Sequence, residues 1–256
     1  MAGMLYLVPT PIGNLSDISA RCRKTFEEAD FIAAEDTRVT LKLLNFLEIK
    51  KPLVSYYEHN KLESGPKIVR RIQEGEICVL VSDAGSPAIS DPGEDLVRLC
   101  AEAGLTVCAI PGPCALVTAL SISGLPTGRF CFEGFLSINK KSRQEHLSGL
   151  KNERRTMIFY EAPHKLLATL KDMAANFGED RRVSLCRELT KLHEEVVRTT
   201  LGEAVARYTE NPPRGEFVVV VEGAQEVPSE ELSIEAGARL VRAELEKGLS
   251  KKDAVK

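Results

Sequence analysis

Tryptophan is absent from these 256 residues, and aromatic side chains make up only 5% of the chain. A surface that stacks unpaired bases needs several exposed rings, so this composition argues against one. No hydrophobic run approaches the roughly 20 residues that span a bilayer, so no membrane partner is expected. Met1 to Tyr6 has no basic stretch ahead of an apolar core, and no secretory signal is expected. No Cys-x-x-Cys occurs. The seven cysteines are odd in number and scattered, with Cys78 inside the run Ile77-Cys78-Val79-Leu80-Val81. They read as small buried thiols in a reducing cytoplasm rather than as a disulfide framework. His59, His146, His164 and His193 stand apart from them, so no metal is expected. Neither Gly-x-Gly-x-x-Gly nor Gly-x-x-x-x-Gly-Lys-Ser/Thr is present, which removes the usual support for a dinucleotide oxidoreductase or a P-loop enzyme. With 34 basic against 37 acidic residues and a net charge of -3, the chain is no basic nucleic-acid packaging protein, although local basic patches are possible.

What is present is ordinary for a globular enzyme: 43% hydrophobic and 28% charged residues, over a length that suits one large or two modest domains. The first half alternates short apolar runs with amphipathic stretches. Strands are expected at Leu5–Val8, Phe31–Ala34, Ile77–Val81 and Thr106–Ile110. A helix is expected with Ile18, Cys22, Phe26 and Ala29 on one face. Asp91-Pro92-Gly93-Glu94 predicts a helix start, with Asp91 as N-cap, Pro92 in the first position and Glu94 capping reciprocally. Leu96, Val97, Cys100 and Ala103 face the core and Gly104 ends that helix. Continuously apolar strands between helices predict a parallel sheet covered on both faces. Ser121–Arg129, with Gly124, Pro126 and Gly128, reads as a hinge-like link. A second α/β pattern follows it, with strands at Phe130–Phe135, Thr156–Tyr160, Val183–Cys186, Val196–Leu201 and Phe217–Val221. A helix from Pro163 carries Leu166, Leu170, Met173 and Phe177 and stops at Gly178. The division expected is 1–123, 124–225 and a helical tail, 226–256, with Leu240, Val241, Leu245 and Leu249 at helical spacing.

Ligands of open parallel sheets bind beyond the carboxyl ends of the strands. Three turn-rich loops stand there: Pro9–Asn14, Ser82–Gly93 and Pro111–Ala115. Their small residues permit close backbone approach, and Asp83 offers a carboxylate to a hydroxyl or ammonium group. On composition alone these remain equally readable as plain strand-to-helix turns.

The wording of the loops is more specific. Leu7-Val8-Pro9-Thr10-Pro11-Ile12-Gly13-Asn14-Leu15-Ser16-Asp17-Ile18, the Val81–Gly93 loop and Ile110-Pro111-Gly112-Pro113-Cys114-Ala115 resemble the three loops of the tetrapyrrole methylase family of S-adenosylmethionine-dependent methyltransferases. Ala34-Glu35-Asp36-Thr37-Arg38, Tyr57-Glu58-His59-Asn60, Phe159-Tyr160-Glu161-Ala162-Pro163-His164-Lys165 and Arg187-Glu188-Leu189-Thr190-Lys191 resemble one branch of it. That branch methylates the ribose 2′-hydroxyl of a cytidine in the decoding region of 16S ribosomal RNA. The likeness runs over about residues 4–223. Cys114 stands where the family commonly has Ser, and Ala162 where Ser is usual. The tail looks shorter than the small helical module that family members carry. The resemblance implies two α/β domains with the methyl donor in the cleft between them, a cytoplasmic homodimer, and the small ribosomal subunit as partner. It implies donor contacts at Pro9, Asp83, Ala84, Gly85, Ser86, Ile89, Cys114 and Ala115, and from the second domain at Tyr160, Leu189 and Glu216. A small-molecule methyltransferase acting on a tetrapyrrole-like ring, or a donor-binding module without transfer activity, would share that fold.

Methyl transfer to a ribose oxygen gains from a base that takes the hydroxyl proton. Glu35, Asp36, His59, Glu188, Lys191 and His193 are the candidates, and the sequence does not choose among them. Each also has a plain structural role open to it: a helix cap for Glu35-Asp36, a loop position for His59, surface ion pairs for Glu188 and Lys191. Lys140, Lys141 and Arg143 open a basic stretch that runs to Arg155, with Arg38, Lys42, Lys50 and Lys51 as a possible extension. Such a patch suits RNA phosphates, or is simply a solvated helix face.

Overall fold

The computed structural model describes residues 3–225 and Arg242; the expected tail at 226–256 otherwise lies outside the described residues. The first sheet is wholly parallel. It contains β1 (Met4–Leu7), β2 (Phe31–Ala34), β3 (Leu53–Ser55), β4 (Ile77–Val81) and β5 (Thr106–Ala109) in the order β3-β2-β4-β1-β5. Side chains alternate across it, so both faces need apolar cover. Ile32 and Ala34 pack with Cys22 and Phe26 of α1 (Ala20–Glu28) and with Leu43 and Leu44 of α2 (Thr37–Phe46). Phe31 and Ala33 face the other way, onto Ile68 and Ile72 of α3 (Lys61–Gln73) and Leu96 and Cys100 of α4 (Gly93–Glu102). The expected parallel sheet covered on both faces is therefore present. β3 and α3 were not anticipated, because Leu53-Val54-Ser55 is too short to stand out and α3 carries Gly65 and Pro66.

The start of α4 differs from expectation. Its first residue is Gly93, and Pro92 holds the cap position without a side-chain bond. Asp91 lies one residue earlier. Its Oδ1 accepts the Gly93 N–H at 2.7 Å and the Ala88 N–H at 3.0 Å, so it ties the helix start to the preceding loop.

The second sheet is mixed. Its strands are β6 (Phe130–Phe135), β7 (Thr156–Glu161), β8 (Arg182–Arg187), β9 (Glu195–Thr200) and β10 (Phe217–Val221), in the order β6-β7-β10-β8-β9. Only β6 and β7 run parallel; the other pairs are antiparallel. β9 stops at Thr200, where a capping box between Thr200 and Glu203 turns the chain into α8 (Leu201–Glu210). One face of this sheet is covered by α8, by α7 (Pro163–Phe177) and by α6 (Lys140–Gly149). The other face is covered by α5 (Ala115–Ile122), whose Leu116, Ala119 and Leu120 pack on Ile158, Cys186, Val218 and Val220. This helix follows the last strand of the first sheet, yet its apolar face is buried by the second.

The link after α5 is fastened rather than loose. Ser123 is buried, the Thr156 hydroxyl donates to the Pro126 carbonyl at 2.6 Å, and the Arg198 guanidinium donates to the carbonyls of Ile122 and Ser123. All seven cysteines are free thiols. Among the described residues no helix is long and apolar enough to cross a membrane, and no cluster has metal-ligand geometry.

Candidate functional site

At the carboxyl ends of the first sheet, four loops are tied to one another. Thr10, after β1, exchanges main-chain hydrogen bonds with Gly85, after β4, at 2.9 and 3.0 Å, and its hydroxyl donates to the Ser82 carbonyl. The Ser86 hydroxyl donates to the Pro113 carbonyl in the loop after β5. The Asp83 carboxylate accepts the Asp36 N–H, after β2, at 3.0 Å. Gly85 has φ +83°, which favours glycine, and a Cβ there would stand 3.2 Å from Ile12. Pro9, Asp83, Ala84, Gly85, Ser86, Cys114 and Ala115 thus occupy one junction. Pro9 and Gly85 are buried within it, while Asp83, Ala84 and Ile89 are exposed.

The second domain closes on this junction at two places. Tyr160, at the end of β7, places its hydroxyl on the Leu116 N–H at 3.1 Å, at the start of α5. Phe132 and Phe135 pack edge-on against its ring, and burial pushes its pKa up to about 12. The other place is the turn between β8 and β9. A Cβ on Gly13 would come within 2.5 Å of Lys191 Cγ, 2.9 Å of Thr190 Oγ1 and 3.2 Å of the Leu189 carbonyl, so the β1 loop lies directly against this turn. Leu189 is buried in the interdomain core with Ile12, Cys114, Ala115 and Tyr160. Among the described residues, four of the five non-glycine residues with positive φ are in these two regions: Ala88 and Ser90 after β4, Glu188 and Thr190 after β8. Strained backbone of this kind is retained where function needs a particular shape.

The polar candidates divide clearly. Asp36 is the N-cap of α2 and accepts the Arg38 N–H at 2.8 Å; the Arg38 side chain lowers its pKa to about 2. Glu188 Oε1 accepts from Lys191 Nζ at 2.9 Å and from the Glu216 N–H at 2.9 Å. The Lys191 bond chiefly lowers its pKa. Lys191 also binds the Glu216 carboxylate at 2.8 Å. Burial works against its charge, but the two carboxylates outweigh that and raise its pKa. His59 is exposed on the turn after the edge strand β3, and His193 is exposed in the β8–β9 turn. Glu35 is half-buried at the end of β2. Burial first, and then the neighbouring charge of Asp83, raises its pKa; the Asp83 N–H partly opposes this, and Asp91 and Asp36 add to it. Asp36 and Glu188 are held anionic by their cationic partners, whereas burial and its acidic neighbours make Glu35 the readier proton acceptor.

The basic candidates also differ in kind. Lys140 and Lys141 are exposed at the first positions of α6, and Arg38 is exposed beside Asp36. Arg143 is only 14% exposed. It pairs with Asp172 at 2.6 Å and donates to the Ser137 and Ile138 carbonyls, so it holds the β6–α6 turn together. Residues not singled out beforehand include Thr10, Gly13, Thr190 and Arg198. The Pro-Thr-Pro-Ile-Gly run contains the first two and Arg187-Glu188-Leu189-Thr190-Lys191 the third, but the role of Arg198 depends on tertiary neighbours and left no local signal.

The donor expected here has a flat base, ribose hydroxyls and an amino-acid end. An apolar wall of Ile12, Leu189 and Tyr160, an exposed Asp83 carboxylate and the main chain of the small-residue loops match such a molecule in chemistry.

The family of Tetrapyrrole (Corrin/Porphyrin) Methylases matches residues 4–205. Ribosomal RNA small subunit methyltransferase I from Synechocystis sp. is 48% identical over 252 residues, 98% of this chain and 90% of its own length. The protein of that description from Escherichia coli O157:H7 is 46% identical over 255 residues, 99% of this chain and 89% of its own. In three dimensions, uroporphyrin-III C-methyltransferase from Thermus thermophilus, solved with S-adenosylhomocysteine, superposes with a TM-score of 0.58. It has 18% identity and covers 85% of this chain and 97% of its own; it is a likeness of fold.

Proposed function

The chain belongs to the tetrapyrrole methylase family, and from that premise we propose that it uses S-adenosylmethionine to methylate the ribose 2′-hydroxyl of a cytidine in the decoding region of 16S ribosomal RNA. The observation that carries the reading is the loop junction: the ends of β1, β4 and β5 are interlocked and covered by Tyr160 and the Leu189 turn of the second domain. Pro9, Asp83, Ala84, Gly85, Ser86, Ile89, Cys114, Ala115, Tyr160, Leu189 and Glu216 would hold the donor between the domains. When bound, S-adenosylmethionine supplies a methyl group already activated by its sulfonium charge. The work left to the chain is to orient the acceptor, exclude water and receive a proton.

The relatives named for small-subunit ribosomal RNA support the RNA acceptor over a tetrapyrrole-like ring. Lys140 and Lys141 support it as well: they add positive charge at a helix N-terminus, where the dipole disfavours cations and favours anions such as phosphates. The working form in this reading is a cytoplasmic homodimer acting on the small subunit. Tritiated donor, incubated with small subunits from cells lacking the enzyme, should label one cytidine in the decoding region. Labelling of a small molecule and not of RNA overturns the proposal.

A further inference from the structure

Resting on the methyltransferase reading above, we propose that Glu35 is the group that receives the ribose 2′-hydroxyl proton during transfer.

The other carboxylate and lysine candidates are committed elsewhere, and His59 and His193 are exposed on turns. Asp36 caps α2 and is clasped by Arg38. Glu188, Lys191 and Glu216 neutralise one another in the turn that abuts Gly13. Asp91 holds the loop before α4 through two main-chain N–H groups. His59 stands on the turn after the edge strand of the sheet. Glu35 directly follows β2, the strand beside β4, and so stands next to the loop that contains Asp83 through Ser86. It makes no ion pair among the described residues. Its position is nevertheless held, because the next residue's N–H is bonded to Asp83 and the Asp83 N–H faces the Glu35 carboxylate.

The charged groups that act on Glu35 are Asp83, Asp91 and Asp36, with Arg38 drawn to Asp36. Their negative field and the burial of the side chain make it a stronger proton acceptor than an ordinary glutamate. A general base works best when its pKa approaches the working pH. In the step itself, the ribose oxygen forms a bond to the methyl carbon of S-adenosylmethionine as the carbon–sulfur bond breaks. That electron pair stays on sulfur, giving the neutral thioether. The hydroxyl proton passes to a Glu35 carboxylate oxygen and later to water, so charge and protons balance.

The experiment compares the full chain and its Glu35→Gln variant in single-turnover methylation of undermethylated small subunits, with donor affinity measured by calorimetry. Wild-type transfer must be seen first; its absence counts against the methyltransferase reading, not against Glu35. Given transfer, the variant should retain donor affinity and lose about 10²-fold or more in rate, as removal of a general base does. The wild-type rate should climb with pH through a value above the usual glutamate range, and the variant should lack that limb. A variant with full rate overturns the assignment. So does one that loses donor affinity in step with rate, which would make Glu35 a donor contact.

Discussion

The Tyr160 hydroxyl accepts the Leu116 main-chain N–H at 3.1 Å, so a side chain of the second domain caps the first turn of α5. At the other end of the same helix, Arg198 donates to the carbonyls of Ile122 and Ser123. Helix ends leave main-chain groups without partners, and here both ends are satisfied from the opposite sheet. Tyr160→Phe removes one of those bonds while keeping the ring. It should lower stability by about 1 kcal/mol, the usual net value of one hydrogen bond, and Arg198→Ala should cost at least as much. Urea midpoints check this; unchanged midpoints in both variants would show that the helix ends are satisfied otherwise.

Cys114 occupies the N-cap of α5 with an extended backbone and no side-chain bond. A hydroxyl at that position reaches the N–H two or three residues on, and Val117 is the third. Cys114→Ser should therefore raise stability by about 0.5–1 kcal/mol. Thermal denaturation with and without donor would detect it, and a lower melting temperature would count against the cap geometry.

Glu35 binds its proton more tightly in the folded chain than its ordinary value of 4.5 implies. The sign follows from linkage: that stabilising contribution is complete below 4.5 and is lost as pH rises through the folded pKa. Carboxylates held down by cations, such as Asp36 and Glu188, act oppositely and lose stability on acidification. The stability of Glu35→Gln relative to wild type should accordingly increase as pH rises above 4.5. Denaturant titrations at a series of pH values test this, and a difference that shrinks with pH would be the wrong sign.

Lys140 and Lys141 should separate from Arg143 when charges are altered. Lys140→Glu with Lys141→Glu should leave the melting temperature nearly unchanged, weaken subunit binding and flatten its salt dependence. Arg143→Ala breaks the enclosed pair with Asp172 and should cost roughly 1–3 kcal/mol, the penalty of leaving a part-buried partner unsatisfied. Equal effects on RNA binding and stability from all three would contradict this division.

The parts of the fold readable from sequence were those with strong apolar repeats. Ile77–Val81 and Phe217–Val221 coincide with β4 and β10, and Leu166, Leu170, Met173 and Phe177 line the buried face of α7. Direction is another matter: nothing in Phe217-Val218-Val219-Val220-Val221 reveals that its neighbours run antiparallel. Thr200-Leu201-Gly202-Glu203 contained the capping signature of α8, masked by the apolar continuation from Val196 to Leu201. At the site, small-residue loops point to a junction because their chemistry is local. The commitment of Glu188 to Lys191 and Glu216, and of Arg143 to Asp172, is made across long sequence separations or through a turn. It appears only in three dimensions.

The position of β10 between β7 and β8 sets an order on the birth of the molecule. Every strand of the first sheet has emerged by Ala109, so that half can form while synthesis continues. The second sheet lacks its central member until Val221 has been made. Until then β7 and β8 have unpaired edges, and α5 has no completed surface to rest on. A nascent chain spends more than a hundred residues of translation with the loops after β1, β4 and β5 made and their cover missing. The cover contributed by α5 and the β8–β9 turn is therefore completed only when β10 has been made.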